Sequence, residues 1–425
     1  MNKITSIKGI NDILPGEMEI WEFIEGCAKR IFRDFGYAEI RIPIIEATEL
    51  FLRGIGETTD IVQKEMYTFP DRSGKMLTLR PEGTASVVRA FIEHRLYQLN
   101  PTTKLFYMGP MFRHERPQAG RFRQFYQIGA EALGTSEPLI DVEVLFLLHS
   151  FFEEIGIEDR VLEINSLGCK ACRPSYRKAL SDFLEPRLSG LCEDCVRRFS
   201  TNPLRILDCK REGCRSASID TPATIDFLCP ECRSHFSEVR SGLDRLNLPY
   251  KINDRLVRGL DYYTKTSFEM TTTHLGAQNT IAAGGRYDGL VEDLGGPPIP
   301  GIGFAIGMER STSLIDTSRA ETIKTSNRTD LFIVTLDKDA RDMAIPIIFE
   351  LRKKGIKTEI DYEKNSLKSQ MRRADKLGIR YVVIIGEDEI KKGKAVLRDM
   401  KNKTQSEIEI STLADSLMSI IRGNT

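Results

Sequence analysis

The sequence lacks an excess of charge of either sign: Lys plus Arg number 61 and Asp plus Glu number 61 among 425 residues. A balanced chain has no overall field that attracts nucleic acid or a membrane surface, so a polyanionic ligand must bind to a local basic patch. The sequence also lacks an apolar run that could cross a bilayer, and its start has no charged segment followed by an apolar one. These absences favour a cytoplasmic protein without membrane contact, and the length predicts two to three domains.

Cysteine is nearly absent outside one segment. Cys27 stands alone, whereas the other eight form four local pairs, three with C-x-x-C spacing and one slightly wider. In a cytosolic chain such pairs favour metal over disulfides. Two zinc sites, or one site with leftover thiols, are both compatible, and the spacing does not say which pairs would share an ion. A redox role and reduced, buried thiols are the alternatives. The candidate ligands are Cys169, Cys172, Cys192, Cys195, Cys209, Cys214, Cys229 and Cys232.

The densest local basic patch spans residues 113–127 (RHERPQAGRFRQFYQ). The Pro and Gly in residues 116–120 predict the turn of an antiparallel hairpin. Guanidiniums that share a surface repel one another unless an anion lies between them, and their planar fork matches phosphate oxygens. The pattern therefore predicts a binding surface for a triphosphate, then a base, then a small polar substrate. An exposed sheet face with solvated charges is the alternative. A period of two places these residues on one face of the second strand: Arg121, Arg123, Phe125, Gln127, Gly129 and Glu131.

The order of the predicted elements indicates an α+β domain, a cysteine-rich interruption and a second domain. A helix is predicted from Glu17 to Phe35, then a strand from Ile40 to Ile44, with Pro43 marking an edge or an interface. Residues 311–329 are polar and predict a linker. Beyond them, three strands alternate with two helices, which is typical of an α/β domain with a parallel sheet.

Six motifs, in order, resemble those of the class II histidyl-tRNA synthetases over nearly the whole chain. They are KGINDILPGE, RIPIIE (motif 1), TLRPEGT with the arginine hairpin (motif 2), RGLDYYT, AAGGRYDGL and GIGFAIGMERS (motif 3). The resemblance implies an α+β class II catalytic domain on an antiparallel sheet, in residues 1–166 and 249–320. It implies a cysteine-rich insertion domain in 167–248, a linker in 321–329 and an α/β anticodon-binding domain in 330–425.

The resemblance also implies an activity: ATP-dependent ligation of L-histidine to its tRNA through histidyl-adenylate, with release of pyrophosphate and AMP. Mg²⁺ would accompany the triphosphate. Arg258 and Arg113 would be catalytic. ATP would contact Arg113, Glu115, Arg121, Phe125 and Arg310, and the hairpin-tip residues Arg116 and Gln118 would contact tRNA. Histidine would contact Glu82, Thr84, Gln127, Glu131, Arg258, Tyr262, Tyr263 and Tyr287, with Glu131 and Tyr263 on the two imidazole nitrogens.

Family members are expected to form homodimers through motif 1, with the insertion on the acceptor stem and the C-terminal domain on the anticodon. Many members lack the cysteines, so the zinc prediction rests on spacing alone. Taken singly, Arg258 could form a structural ion pair with Asp261 or Asp254, and Glu82 or Thr84 could begin a helix. Residues 284–287 (GGRY) indicate a tight turn, in which the glycines serve either the backbone or the substrate.

The sequence is also compatible with two alternative functions. One is a catalytically inactive synthetase-like regulatory subunit of histidine biosynthesis; the other is a zinc-dependent RNA-binding module without chemistry. Such regulatory subunits typically lose the C-terminal domain and the catalytic arginine, whereas this sequence has both.

Overall fold

The computed structural model describes residues 3–56, 59–118, 120–276, 279–326, 328–363 and 366–423. The chain divides into two compact units, Met1–Arg319 and Ala320–Thr425. Among the described residues, no helix is both long enough and apolar enough to cross a membrane.

The first unit is built on a large, mostly antiparallel sheet, which confirms the predicted α+β class. Within the described ranges, eight strands follow the order β1-β5-β6-β11-β10-β9-β7-β8, and only the β1–β5 and β7–β8 pairs are parallel. A smaller sheet has the order β2-β4-β3. The strands of this unit are β1 (Ala38–Glu39), β2 (Ile45–Ala47), β3 (Tyr67–Pro70), β4 (Met76–Leu79), β5 (Thr103–Phe112), β6 (Gln124–Leu133), β7 (Val161–Ser166), β8 (Lys251–Ile252), β9 (Thr264–Thr271), β10 (Thr280–Arg286) and β11 (Gly301–Gly307).

Helices accompany these strands in the first unit. They are α1 (Met18–Asp34), α2 (Thr48–Ile55), α3 (Thr84–Glu93), α4 (Pro138–Glu154), α5 (Arg173–Leu184), α6 (Glu193–Thr201), α7 (Glu212–Ala217), α8 (Pro230–Arg245), α9 (Leu290–Asp293) and α10 (Met308–Ser313). Helix α11 (Thr317–Ser326) begins in the first unit and ends in the second. Short 3₁₀ or π turns occur at Ile61–Glu65, Leu96–Gln98, Glu185–Gly190, Pro203–Ile206, Thr224–Phe227 and Thr273–Leu275. Helix α11 covers most of the predicted linker 321–329, because a polar composition does not by itself prevent a helix.

Strand β6 separates the main core from the face that was predicted to bind ligand. Ile128, Ala130 and Ala132 are buried in the core that α1, α4 and α8 share. The alternate positions, which include Gln127 and Glu131, therefore point to the opposite face. The predicted alternation is confirmed within β6, but the prediction was wrong for Arg121 and Arg123, which lie before the first residue of the strand, Gln124.

The cysteine-rich segment contributes to both this core and a small one of its own. Leu180, Leu184 and Ile206 form part of the smaller core, whereas α8 packs on α4 in the main one. The contact between these helices is close, because a Cβ on Gly242 would lie 2.5 Å from Val142 Cγ2. The boundaries 167 and 248 of the insertion stay a prediction.

Two other local predictions were also wrong. Residues 40–44 are not a strand; β1 ends before them and β2 starts after them, although the Ile40 amide still donates to the Phe106 carbonyl at 2.8 Å. The glycines at 284 and 285 do not form a turn but lie within β10, where neighbouring strands approach closely. A Cβ on Gly284 would lie 2.2 Å from the Gly303 carbonyl oxygen.

The second unit has the predicted alternation of strands and helices, followed by two further strands. Among its described residues the sheet order is β13-β12-β14-β15-β16. The three predicted strands are parallel, and the last two pair antiparallel. Its elements are β12 (Leu331–Thr335), α12 (Lys338–Lys353), β13 (Thr358–Ile360), α13 (Leu367–Lys376), β14 (Tyr381–Ile385), α14 (Glu387–Lys392), β15 (Lys394–Asp399), β16 (Thr404–Glu409), a 3₁₀ turn at Ile410–Thr412 and α15 (Leu413–Arg422).

Candidate active site

A cleft of about 350 Å³ gathers most of the predicted site residues. Glu131 and Tyr287 are not among its lining residues but are buried beside it, and Arg116 and Gln118 are exposed on the hairpin connection outside it. Ala119 lies outside the described residues. The predicted residues that line the cleft are Glu82, Thr84, Arg113, Glu115, Arg121, Phe125, Gln127, Arg258, Tyr262, Tyr263 and Arg310.

The arginine hairpin delivers two guanidiniums to the cleft, those of Arg113 and Arg121, and both come from the connection between β5 and β6. Arg113 donates its Nε–H to the Pro81 carbonyl at 2.9 Å, and its guanidinium carbon lies 5.2 Å from the Phe125 ring centroid. Arg121 precedes β6 and donates to Glu115 at 3.1 Å. The guanidinium of Arg113 is thus held between a backbone carbonyl and an aromatic ring.

Arg310 approaches the same region from α10. Its Nε–H donates to the Gly120 carbonyl at 3.2 Å, and its Nη1 group donates to the Thr280 carbonyl. Burial and the charge of Arg121 lower the pKa of Arg310. A bound anion would offset this repulsion between guanidiniums, which favours a phosphate ligand.

Glu131 forms a buried polar centre next to the cleft. Its side chain is fully buried and accepts hydrogen bonds from the Thr84 hydroxyl and the Tyr287 hydroxyl, each at 2.6 Å. Burial raises the pKa of Glu131 to about 8, although both hydrogen bonds oppose the shift. The space beside it depends on Gly303, because a Cβ there would lie 1.8 Å from Glu131 Oε2.

Arg258 lies between a carboxylate and an aromatic ring. Its Nη1 group donates to Glu269 of β9, and its guanidinium carbon lies 5.4 Å from the Tyr263 ring centroid. The Tyr262 and Tyr263 rings are adjacent, with centroids 4.7 Å apart. An ion pair at Arg258 was one sequence interpretation, but the partner here is Glu269. Because Arg258 also lines the cleft, the ion pair orients the side chain without withdrawing it from the cleft.

Glu82 has the structural role that was considered for it. Its carboxylate accepts from the amides of Thr84 at 2.7 Å and Ala85 at 2.9 Å, so it satisfies free N–H groups at the start of α3. Thr84 instead turns its hydroxyl toward Glu131. Both residues also line the cleft.

Several contributors to the site were not predicted; they include the cleft residues Asp208 and Lys210 and three acidic or aromatic residues. Glu269 holds Arg258, and the buried Tyr107 lies so close to Gly83 and Gly129 that a Cβ on either would be 2.2 Å from its ring. Glu309 accepts from the Tyr126 amide at 2.9 Å, and burial raises its pKa to about 7. The glycines in motif 2 and β6 were the available signal for Tyr107, since they leave room for a large neighbouring ring.

The cysteine pairs assemble into two four-thiol clusters that are nested in the sequence, since the residues of the inner cluster lie between the two halves of the outer cluster. The outer cluster is Cys169, Cys172, Cys229 and Cys232, and the inner cluster is Cys192, Cys195, Cys209 and Cys214.

In each cluster the four Sγ atoms lie within 4.8 Å of one another. Cys169 Sγ is 3.7 Å from Cys172 Sγ and 3.9 Å from Cys229 Sγ. Tetrahedral zinc with Zn–S bonds of about 2.3 Å requires Sγ–Sγ distances of about 3.8 Å, so the outer cluster matches that geometry. Both clusters could hold a metal ion.

Comparison with known proteins decides the family. The family model for histidyl-tRNA synthetase matches residues 9–171 and 228–310, and an anticodon binding domain model matches residues 330–419. The histidine–tRNA ligase of Syntrophotalea carbinolica is 53% identical over 421 residues, which cover 99% of this chain and all of that one. The chain belongs to the histidyl-tRNA synthetase family. The motif resemblance is therefore confirmed.

Other members of the histidyl-tRNA synthetase family agree with this assignment. The histidine–tRNA ligase of Geobacter metallireducens is 55% identical over 97% of this chain and 98% of its own. The apo S. aureus histidyl-tRNA synthetase superposes with a TM-score of 0.81 at 37% identity, covering 98% of this chain and 100% of that one. The family model does not extend over residues 172–227, where all four cysteines of the inner cluster lie.

Proposed function

We propose that this chain ligates L-histidine to its cognate tRNA in two steps on the cleft. In the first, a histidine carboxylate oxygen bonds to the α-phosphorus of ATP as the bond to the pyrophosphate oxygen breaks. In the second, a terminal ribose hydroxyl of the tRNA attacks the acyl carbon, loses its proton and displaces AMP. The observation that carries the proposal is the shared cleft of Arg113, Arg258 and Thr84, with Glu131 directly behind Thr84.

The first step brings an anion to a polyanion, so positioned cations supply most of the catalysis. Arg113 and Arg258 contact the α-phosphate region and the carboxylate, while Arg121, Glu115 and Arg310 hold the remainder of the nucleotide. Phe125 stacks on adenine. ATP enters with Mg²⁺, whose hard oxygen ligands are the phosphates. Arg113 is held by the Pro81 carbonyl and Arg258 is held by Glu269. These contacts support the proposed roles, because preorganised groups need little reordering when charge develops.

Histidine recognition is assigned to the polar groups around Glu131. Glu131 meets one imidazole nitrogen and the Tyr263 hydroxyl meets the other, with Tyr262 and Tyr287 completing the surroundings. Glu82, Thr84 and Gln127 hold the α-amino group. The buried Gln127 Oε1 has no hydrogen-bond partner among the described residues, which supports a ligand contact. A site of this kind rejects an amino acid that leaves its buried polar groups unpaired.

tRNA contact is assigned to three regions. The exposed Arg116 and Gln118 contact acceptor-end bases from the hairpin connection. The insertion contacts the acceptor stem, and residues 330–425 contact the anticodon. The full-length relatives named histidine–tRNA ligases do not favour the inactive regulatory subunit as an alternative.

Zinc is the metal proposed for both four-cysteine clusters. Four thiolates at tetrahedral spacing suit zinc in a closed structural site. Burial opposes ionisation, but hydrogen bonds from neighbouring amides and thiols lower the pKa of Cys169 and Cys192 to about 7. Burial raises the pKa of Cys232 and Cys195 in the same two clusters, so one thiol of each cluster ionises before the others. The proposed compartment is the cytoplasm, where thiols stay reduced.

A homodimer is proposed through the motif 1 region. Apolar side chains on and beside the three-stranded sheet are exposed at 43% for Ile44, 45% for Ile45 and 45% for Met76. Clustered exposed apolar groups mark interaction surfaces. Sedimentation of the intact chain at a monomer mass would contradict this proposal.

Arg258 provides the test of the catalytic proposal. Arg258→Ala should reduce histidine-dependent ATP–pyrophosphate exchange by at least about a hundredfold, because a guanidinium on developing phosphoryl charge is lost. Arg258→Lys should recover little, since an ammonium lacks the planar fork. Arg255→Ala is the matched control: Arg255 belongs to the same segment but donates to Ser218. Normal exchange in Arg258→Ala would remove Arg258 from catalysis.

A further inference from the structure

The inner cysteine cluster is attached directly to the loop that reaches the cleft. Cys209 is one of its four thiols. The residues on either side of Cys209, Asp208 and Lys210, both line the cleft with Arg258 and Arg310. An ion held by the inner cluster would therefore fix the backbone between two cleft residues.

The same cluster is tied to the cleft at two further places. Helix α6 carries Cys195 and, one turn later, Arg198. Arg198 donates to Asp60 Oδ2 at 2.8 Å, and Arg205 donates to the same oxygen at 2.7 Å. Asp60 precedes Ile61, which lines the cleft. Asn202, after α6, donates to Asp261 Oδ1 at 3.1 Å. The segment around the inner cluster thus contacts the catalytic part through charged and polar side chains.

Lys210 has the properties of a contact for an anion. It is exposed, and its Nζ lies 3.2 Å from Asp208 Oδ1 in an ion pair in which both side chains are more than half exposed. Exposed pairs of this kind are weak, about 0–1 kcal/mol. A phosphate group in the cleft would therefore replace Asp208 as the partner of Lys210 at little cost.

We propose that a metal ion in the inner cluster positions Lys210 as a cationic contact for a phosphate group in the cleft. This inference rests on the proposed function. It adds a binding residue from the segment 172–227, which the family model leaves unmatched. The phosphate belongs either to ATP or to the terminal nucleotides of tRNA. The metal acts only through the position of the loop.

The experiment compares the full-length wild type with Lys210→Ala, Lys210→Arg, Arg211→Ala and Cys192→Ser. Metal content is measured by mass spectrometry. Affinity for a non-hydrolysable ATP analogue in the presence of histidine is measured by calorimetry, and the tRNA KM in aminoacylation. Arg211 is the matched control, because it is the neighbouring exposed cation and is not among the cleft residues.

Lys210→Ala should keep its metal. It should either weaken binding of the ATP analogue or raise the tRNA KM by about fivefold, as expected for loss of a partly solvated ion pair. The affected measurement identifies the source of the phosphate. Lys210→Arg should recover most of the loss, and Arg211→Ala should stay within about twofold of the wild type. Cys192→Ser should lose one metal equivalent and show the same defect, and adding Lys210→Ala to it should not deepen that defect.

Three results would overturn the inference: unchanged ATP and tRNA binding in Lys210→Ala, metal loss in Cys192→Ser without a change in affinity, or a wild type without metal in the inner cluster. Failure of the proposed function is distinguishable, since it would appear as absence of histidine-dependent exchange in the wild type. Failure of this inference leaves that exchange intact.

Discussion

Glu131 gives the sharpest test of the electrostatics of the site, through the substitution Glu131→Gln. Burial raises the pKa of Glu131 from an ordinary 4.5 to about 8 in the folded protein. Between these two values the unfolded chain has lost the proton that the folded chain keeps. Stability of the wild type should therefore fall as pH rises through this window, by about 1.4 kcal/mol per pH unit from this group alone. Below pH 4.5 and above pH 8 the contribution should be constant.

The glutamine variant isolates this contribution, because its amide does not titrate. Urea unfolding of the first unit's signal in the full-length protein, repeated from pH 5.5 to pH 7.5, gives the free energy of unfolding of both proteins. The wild-type value minus the variant value should decline by about 2.7 kcal/mol over those two pH units. Its absolute level is irrelevant, since the altered hydrogen bonds of the variant to Thr84 and Tyr287 do not depend on pH in this range.

Parallel curves would refute the reasoning, because they would mean that Glu131 is already ionised when folded. An infrared difference spectrum supplies an independent check: the wild type should show the stretch of a neutral carboxyl group below pH 8, and the variant should not. The two results together decide whether the imidazole contact proposed for Glu131 would be made by a carboxylic acid or by a carboxylate.

Two further substitutions test the packing around the site. Gly303→Ala should lower histidine-dependent pyrophosphate exchange by at least about tenfold, because the new Cβ would lie 1.8 Å from Glu131 Oε2 and would displace that side chain. A displacement of about 1 Å in a site is enough to cost this much activity. Gly26→Ala, whose Cβ would meet nothing within 4 Å, should leave exchange unchanged. Arg286→Met should destabilise the first unit by about 3–5 kcal/mol in urea unfolding, because the fully buried Asp141 loses the guanidinium that lies 2.7 Å away. Adding Asp141→Asn should recover part of this loss, and no recovery would argue against an unpaired charge as the cause.

The sequence predicted the fold best where one physical rule acted alone. Alternation along β6 was correct because one face meets the apolar core that contains Ile128 and the other meets the cleft. The rule failed at residues 40–44, where the same alternation occurs outside regular strand pairing. A different rule, that paired glycines mark a turn, failed at Gly284. A glycine that permits close strand contact has the same sequence signature as one that permits a turn.

The site could be predicted only as a set of residues, not as a network. Motifs brought Arg113, Arg258 and Glu131 to attention, but the residues that contact them lie on other elements of the fold. Glu269 on β9 is an ordinary strand glutamate until the fold places it against Arg258. Arg258 and Glu269 are 11 residues apart in the sequence, and no single helix or strand contains both, so the residue pattern does not reveal the pairing.

The cysteine spacing illustrates the same limit with a mechanistic consequence. Four local pairs allow several combinations, and the structure selects the nested one, with the inner cluster enclosed in the chain between the two halves of the outer cluster. The two clusters are therefore attached to different parts of the fold. The outer cluster joins the start of the insertion to α8, which is anchored in the main core. The inner cluster has its own small core and is attached to the cleft through Lys210 and α6. A metal ion in the outer cluster would therefore stabilise the base of the insertion, whereas a metal ion in the inner cluster would set the position of a cleft residue.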